Sequence, residues 1–335
     1  MEASNDTRAR LPRVFATSSL PGAGLDRLAR VTALEVWPGS AGPGSEALRA
    51  GVANADGLLC LLTDRVDAEL IAAAPRLRAI SSVSVGLDHI DLTAASERGI
   101  PVGHTPGVLT ETTAELTFAL LLAASRRVVE ADRFVRGGGW REWKPDLLLG
   151  RDLAGATLGI VGLGAIGRAV ALRAHAFGMK VLGWNRTPRR VAGVESRPLE
   201  ALLRHSDFVS LHVALSPETA GLIGGRELGW MPRGAILVNT ARGGIVDEAA
   251  LAVALREGRL AGAAFDVFAE EPLPPESPLL AAPRLVLAPH IGSATLRTRE
   301  RMADLAVSNL EAALAGRPMP HCANPEVERG RGASQ

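Results

Sequence analysis

Tyrosine is absent from this 335-residue chain, and lysine occurs only at Lys144 and Lys180 although lysine and arginine together number 37. The skew reads as a coding bias toward arginine, since no folding or catalytic requirement produces it. Charge of one sign is also lacking. The 37 bases face 36 acids for a formal net charge of +1, and the two are interspersed. Nucleic acid or an anionic membrane surface needs a strong field, so neither is an expected partner and a small molecule is. Cysteine is scarce: Cys60 and Cys322 lie far apart, with neither metal spacing nor a disulfide pattern, as in a reducing compartment. No metal set is expected. The stretch from Met1 to Arg13 has no apolar signal core, and no later apolar run is long enough to span a bilayer, so a cytoplasmic protein is expected.

What is present is length for two domains and a repeating pattern. Short apolar runs at 13–17, 57–62, 157–161, 180–184, 208–211 and 236–239 alternate with amphipathic stretches, which implies α/β architecture with parallel sheets. Turn-rich segments at Val85-Gly86-Leu87-Asp88 and Gly103-His104-Thr105-Pro106 precede one long Leu/Ala-rich helix, expected from Thr110 to about Arg136. Apolar on most of its circumference, that helix is either a buried core element or a subunit interface. The nucleotide signature begins only after it, which places a cofactor domain inside the other domain. The end of the chain from Glu326 to Gln335 is polar and reads as disordered.

Gly162-Leu163-Gly164-Ala165-Ile166-Gly167 follows the strand 157–161, opens a helical pattern, and is followed by the next strand at Lys180, the full βαβ context of a dinucleotide site. Gly162 serves the tight turn, Gly164 the approach of a pyrophosphate, and Gly167 helix packing. The amides of Ala165 and Ile166 lie at the positive end of the helix. An NAD enzyme usually ends its second strand with Asp or Glu. Here stand Asn185-Arg186-Thr187, followed by Arg189 and Arg190. A carboxylate repels a 2′-phosphate and an arginine fork pairs with it, so NADPH preference is expected, with NADH as an alternative.

Three further segments fall at strand ends: Asn239-Thr240-Ala241-Arg242-Gly243-Gly244, Phe265-Asp266-Val267-Phe268 with Glu270-Glu271-Pro272, and Ala288-Pro289-His290-Ile291-Gly292-Ser293. Singly, Arg242, Glu271 and His290 would be a salt-bridge residue, a solvated acid and a structural histidine. Together, where open parallel sheets bind ligands, they suit reduction of a 2-oxo acid. Arg242 is the cation for carboxylate and carbonyl, His290 the proton donor, and Glu271 the carboxylate keeping that donor protonated.

These segments, with Val83-Ser84-Val85-Gly86-Leu87-Asp88-His89, Thr110-Glu111-Thr112-Thr113-Ala114-Glu115-Leu116 and Gly138-Gly139-Trp140-Arg141-Glu142-Trp143-Lys144-Pro145, resemble the D-isomer-specific 2-hydroxyacid dehydrogenase family. From about Arg13 to Pro320 the chain is similar to its glyoxylate reductase/hydroxypyruvate reductase branch. The resemblance implies two Rossmann-like domains with parallel sheets. A flavodoxin-like substrate domain is formed by 11–104 and 293–325, with the dinucleotide-binding domain of 105–292 inserted into it and disordered tails at 1–10 and 326–335. It implies a homodimer, substrate contacts from the amides of Val85 and Gly86 and from Ser293, and a Trp143 that reaches the partner's active site and narrows it. Thr113, Thr240, Ala241 and Asp266 are implied at the cofactor. Ala165 replaces a frequent family arginine, which removes one pyrophosphate contact.

Among other histidines, His212 in Leu211-His212-Val213 is the nearest rival to His290, but no glutamate partner follows it. His89, His104, His175, His205 and His321 have no comparable surroundings. The expected reaction is NADPH-dependent reduction of glyoxylate and hydroxypyruvate to glycolate and D-glycerate, in a crevice whose hinges are placed near Thr105-Pro106 and Gly292. Two alternatives stay open: another dehydrogenase of the family, or a dinucleotide-sensing scaffold like the corepressors that share the triad. The Trp143-Lys144-Pro145 segment and the lack of long low-complexity tails favour the enzyme.

Overall fold

The computed structural model describes residues 11–332. The chain folds as two compact units, one made of the residues up to Val108 with those from Thr295 onward, the other of Leu109–Ala294. The second is therefore an insertion into the first. The change-over points fall a few residues later than the expected 104/105 and 292/293. The second unit opens beside the helix Thr110–Ser125, and the chain returns to the first at the helix Leu296–Leu314, whose first turn is capped by the Thr295 side chain.

The first unit has five strands: β1 (Arg13–Ala16), β2 (Ala33–Val36), β3 (Gly57–Cys60), β4 (Ala79–Ser82) and β5 (Val102–Gly103). All pair in parallel in the order β2-β1-β3-β4-β5, a doubly wound arrangement. The inner strands β3 and β4 are buried at every residue, whereas the edge strand β2 alternates between exposed and half-buried. This is what helices on both faces of a parallel sheet demand of sequence: continuous apolar runs inside, alternation at the edge.

The second unit has seven strands: β6 (Thr157–Val161), β7 (Lys180–Trp184), β8 (Val194–Ser196), β9 (Phe208–Leu211), β10 (Ile236–Asn239), β11 (Gly262–Phe265) and β12 (Leu285–Leu287). They are parallel in the order β12-β11-β10-β9-β6-β7-β8, so the direction of winding reverses at β6, as in a Rossmann domain. A core lies on each face, one including Val209, Leu237, Leu251 and Phe265, the other Phe118, Leu121, Ile160 and Val238. Each such side chain contributes roughly 1.5–3 kcal/mol by leaving water. That burial fixes the strand ends from which the site is built.

Two expectations are corrected. The single helix to about Arg136 is two helices, Thr110–Ser125 and Val128–Arg136, broken where Arg127 adopts φ +53° and its guanidinium pairs with Glu130. No glycine or proline marks the break. The first helix is the core element, with Ala114, Phe118, Leu120 and Leu121 buried and Phe118 stacked on Phe177 at 5.1 Å; the second buries no residue. At the other end, Glu326–Gly332, expected as part of a disordered tail, is a helix. Met319 N–H donates to Glu328 at 2.7 Å and Val327 is buried, so the segment has tertiary partners that its polarity conceals. Residues 1–10 and 333–335, also expected as tails, lie outside the described residues.

Candidate active site

Arg242, Glu271 and His290 leave the carboxyl ends of three adjacent strands, β10, β11 and β12, whose register aligns Asn239 with Phe265 and Phe265 with Leu287. Sheet adjacency thus brings together residues up to 48 positions apart in sequence. Gly243 tightens the first two loops against each other: a Cβ there would stand 1.8 Å from the Phe268 carbonyl carbon and 2.2 Å from the Ala269 nitrogen. Only glycine fits. The Asn239 side chain holds the Arg242 turn, its Nδ2 donating to Arg242 O at 2.9 Å and its Oδ1 accepting from Ala241 N–H at 3.0 Å. Arg242 Nη1 donates to Ala241 O at 2.8 Å.

Glu271 Oε2 lies 2.6 Å from His290 Nδ1, and Glu271 Oε1 accepts from Phe268 N–H at 2.9 Å. An ionised carboxylate can only accept, so Nδ1 carries a hydrogen and Nε2 is the atom left for proton exchange. Both side chains are about three-quarters buried. Burial pushes the Glu271 carboxyl up. The His290 and Phe268 hydrogen bonds, with the nearby His290 and Arg242 charges, outweigh it and leave Glu271 below the ordinary glutamate value. Glu248, whose Oε1 accepts from Ala269 N–H at 2.7 Å, is pushed up by burial and by the like charge of Glu271.

Asp266 fixes the histidine's loop. His290 sits at φ +52°, a left-handed conformation uncommon outside glycine, although histidine is among the residues enriched there. Its N–H donates to Asp266 O at 2.9 Å, and Ile291 N–H donates to Asp266 Oδ1 at 2.7 Å. Burial nevertheless holds the Asp266 carboxyl above its ordinary value. From the other side, Thr113 donates its hydroxyl to Gly292 O at 3.1 Å. Thr117 donates to Thr113 O at 2.8 Å, which leaves the Thr240 hydroxyl to donate to Thr117 at 2.9 Å. Thr117, Asn239 and Glu248 support the site without having been singled out for it in the sequence. For Asn239 the signal was its place at the strand end before Thr-Ala-Arg. For the other two, only tertiary contact reveals the role.

The glycine-rich turn lies at the winding reversal, between β6 and the helix Ala165–Ala176. Gly162 has φ +106° and a Cβ there would stand 2.6 Å from the His212 carbonyl; a Cβ on Gly167 would stand 2.0 Å from Gly162 O. Those two glycines are required by the protein itself. Gly164 is different, because a Cβ there meets nothing within 4 Å. That open space beside the uncapped amides of Ala165 and Ile166 fits a pyrophosphate, whose oxygens take N–H donors at a helix start. Asn185 Oδ1 accepts from Leu163 N–H at 3.1 Å and its Nδ2 donates to Thr187 O at 2.6 Å. Its side chain thus braces the turn, while Arg186 and Thr187 beside it are exposed. His212 is unsuited to proton delivery: burial holds it down to about 3, and Ser210 bonds its Nε2 at 2.8 Å.

Ser293 is buried in the same unit as the triad, and Ala241 follows Thr240 on the β10 loop. Trp143 is 76% exposed on the segment after the helix Val128–Arg136, with Trp140 also exposed. In the first unit, the loop bearing Val85 and Gly86 is pinned by its carbonyls. Thr105 N–H donates to Ser84 O at 2.8 Å, the His104 ring lies 3.1 Å from Val85 O, and Ser84 Oγ donates to Gly86 O at 2.7 Å.

Residues 118–292 match the family model of the D-isomer specific 2-hydroxyacid dehydrogenase, NAD binding domain. A glyoxylate reductase of Korarchaeum cryptofilum is 50% identical over 325 residues, covering 96% of this chain and 98% of the relative. A crystal structure of a Thermus thermophilus protein is 54% identical, with TM-score 0.88 over 93% of this chain and 99% of that one. An NADPH-dependent glyoxylate/hydroxypyruvate reductase from Sinorhizobium meliloti, solved with NADP and malonate, is 33% identical, with TM-score 0.83 over 93% and 96%. Among the described residues no helix is long and apolar enough to cross a membrane.

Proposed function

The chain belongs to the D-isomer specific 2-hydroxyacid dehydrogenase family, and we propose on that premise that it reduces glyoxylate and hydroxypyruvate to glycolate and D-glycerate, with NADPH preferred and NADH as an alternative. The observation that carries the reading is the 2.6 Å contact of His290 Nδ1 with Glu271, beside Arg242, at the ends of three adjacent strands. When bound, the nicotinamide supplies a hydride to the substrate's C2 carbonyl. Arg242 pairs with the carboxylate and polarises the carbonyl oxygen. His290 Nε2 gives its proton to the developing alkoxide, and Glu271 fixes the ring and favours its protonated form until that moment. The family resemblance assigns the amides of Val85 and Gly86 to the substrate carboxylate and Ser293 to a further polar contact. Thr113, Thr240, Ala241 and Asp266 line the nicotinamide end. In a homodimer, Trp143 of a second copy limits the site to small substrates.

The test is NADPH oxidation by the purified protein on addition of glyoxylate, hydroxypyruvate or a bulkier 2-oxo acid. Turnover is expected with the first two. Turnover with none, despite tight NADPH binding, would overturn the enzyme reading in favour of the sensing scaffold. The cofactor half is tested with Arg186→Ala. Charge-assisted hydrogen bonds contribute about 1.5 to 3 kcal/mol each, so at least a tenfold loss of kcat/KM is expected with NADPH and a much smaller one with NADH. Equal losses, or a wild type that prefers NADH, would overturn the NADPH assignment.

A further inference from the structure

Arg186 is not the only charge beyond the end of β7. Its Nη1 lies 3.4 Å from Oε2 of Glu218, in the turn that follows β9. Glu218 is exposed but not loosely placed. The Ser216 hydroxyl donates to Glu218 Oε2 at 2.6 Å. The same turn is anchored by Thr219, a buried residue whose hydroxyl accepts from Ser216 N–H at 2.8 Å and donates to Ala214 O at 2.6 Å. The Ser216 hydrogen bond, joined by the Arg186 charge, holds the Glu218 carboxyl below its ordinary value, and an exposed glutamate is already an anion at neutral pH.

We propose that Glu218 is a specificity-determining residue for the cofactor, a built-in counter-charge that occupies Arg186 when the adenosine ribose carries a bare 2′-hydroxyl and opposes a 2′-phosphate at the same guanidinium. This rests on the reading that the 2′-phosphate docks on Arg186. A guanidinium offers donors on two edges, so one edge can hold the carboxylate while the other receives a ligand. With NADH, the Glu218 pair leaves no uncompensated cation beside the ribose. With NADPH, two anions share one cation and repel. Glu218 therefore narrows the cofactor preference that Arg186 creates, and the site accepts both dinucleotides.

The test is Glu218→Gln, which keeps an oxygen to accept from Ser216 and removes only the charge, with Glu218→Ala as a second charge-removing variant. Dissociation constants for NADPH, NADH, 2′,5′-ADP and 5′-AMP are measured by fluorescence titration at low and high salt, alongside Arg186→Ala. Exposed charge pairs are weak, so the expected effect is roughly two- to fivefold tighter binding of NADPH and 2′,5′-ADP at low salt, with NADH and 5′-AMP changed less than about twofold and the gain reduced at high salt. Equal changes with phosphorylated and unphosphorylated ligands, or none, overturn the proposal. If Arg186→Ala is selective for NADPH while the Glu218 variants are not, the role of Glu218 fails and the docking reading stands. If Arg186→Ala is itself unselective, the docking reading fails and the proposal with it.

Discussion

At His290 the backbone takes φ +52°, a conformation that costs an ordinary L-residue roughly 1–2 kcal/mol, and it is held there by the Asp266 carbonyl and carboxylate beneath it. The ring is thereby aimed before substrate arrives. His290→Ala should lower kcat with glyoxylate by about 100- to 10,000-fold, the usual worth of a general acid, with NADPH affinity nearly unchanged. Near wild-type turnover in that variant would remove His290 from the acid role. Glu271 permits a prediction with a definite sign. Its carboxyl titrates lower in the folded protein than in the open chain. The stability this contributes is present above the unfolded value of about 4.3 and is lost as pH falls through the folded one. Glu271→Gln should therefore melt below the wild type at neutral pH, by about 1–2 kcal/mol, with the gap closing as the wild-type carboxyl is protonated. Thermal melts across pH check this, and a gap that widened in acid would contradict it. In turnover, losing the charge that favours a protonated imidazole should move the alkaline limb of the reduction profile to lower pH.

The strand–turn–helix element separates two uses of glycine. Gly167→Ala places a methyl 2.0 Å from Gly162 O, whereas Gly164→Ala places one in open space. Overpacking of this kind costs about 1–3 kcal/mol, so Gly167→Ala should lower the melting temperature of the protein without cofactor. Gly164→Ala should melt like the wild type and bind both dinucleotides more weakly, since its methyl intrudes only where the pyrophosphate sits. Calorimetry paired with cofactor titration distinguishes the two, and loss of stability in Gly164→Ala would show that its space belongs to the fold. The three glycines were legible in sequence because βαβ spacing is local. The break at Arg127 was not. Its helices run on without proline or glycine, and the left-handed residue is one whose side chain finds Glu130 only after the turn is made.

At the scale of the molecule, the helix Val128–Arg136 leaves Val128 and Val135 half exposed, and Trp140 and Trp143 follow it on the surface. Isolated valines in water call for no explanation, but Val128 and Val135 on a helix that leads into two exposed tryptophans suit a partner surface. The proposed homodimer uses it. Sedimentation should give a dimer, and Val135→Glu should favour the monomer, with turnover falling because Trp143 no longer reaches a neighbour's site. A monomeric wild type with full activity would rule out that role for Trp143.

The sequence alone determined the alternation of buried strands and helices, the insertion of one unit in the other, the dinucleotide turn, and the order of Arg242, Glu271 and His290. Each is carried by local periodicity or by residue types at strand ends, and local patterns survive in one dimension. Only the tertiary structure decided which ring nitrogen of His290 the expected partner Glu271 meets, that Asp266 holds the His290 loop, and that Asn185 spends its side chain on Leu163 and Thr187. It also decided that Glu218 stands beside Arg186, and that a polar stretch near the chain end folds as a helix. Those outcomes depend on which strands lie side by side and on how closely backbones such as Gly243 and Phe268 approach. Such approaches are set by summed packing over whole sheets, which no short window of sequence contains.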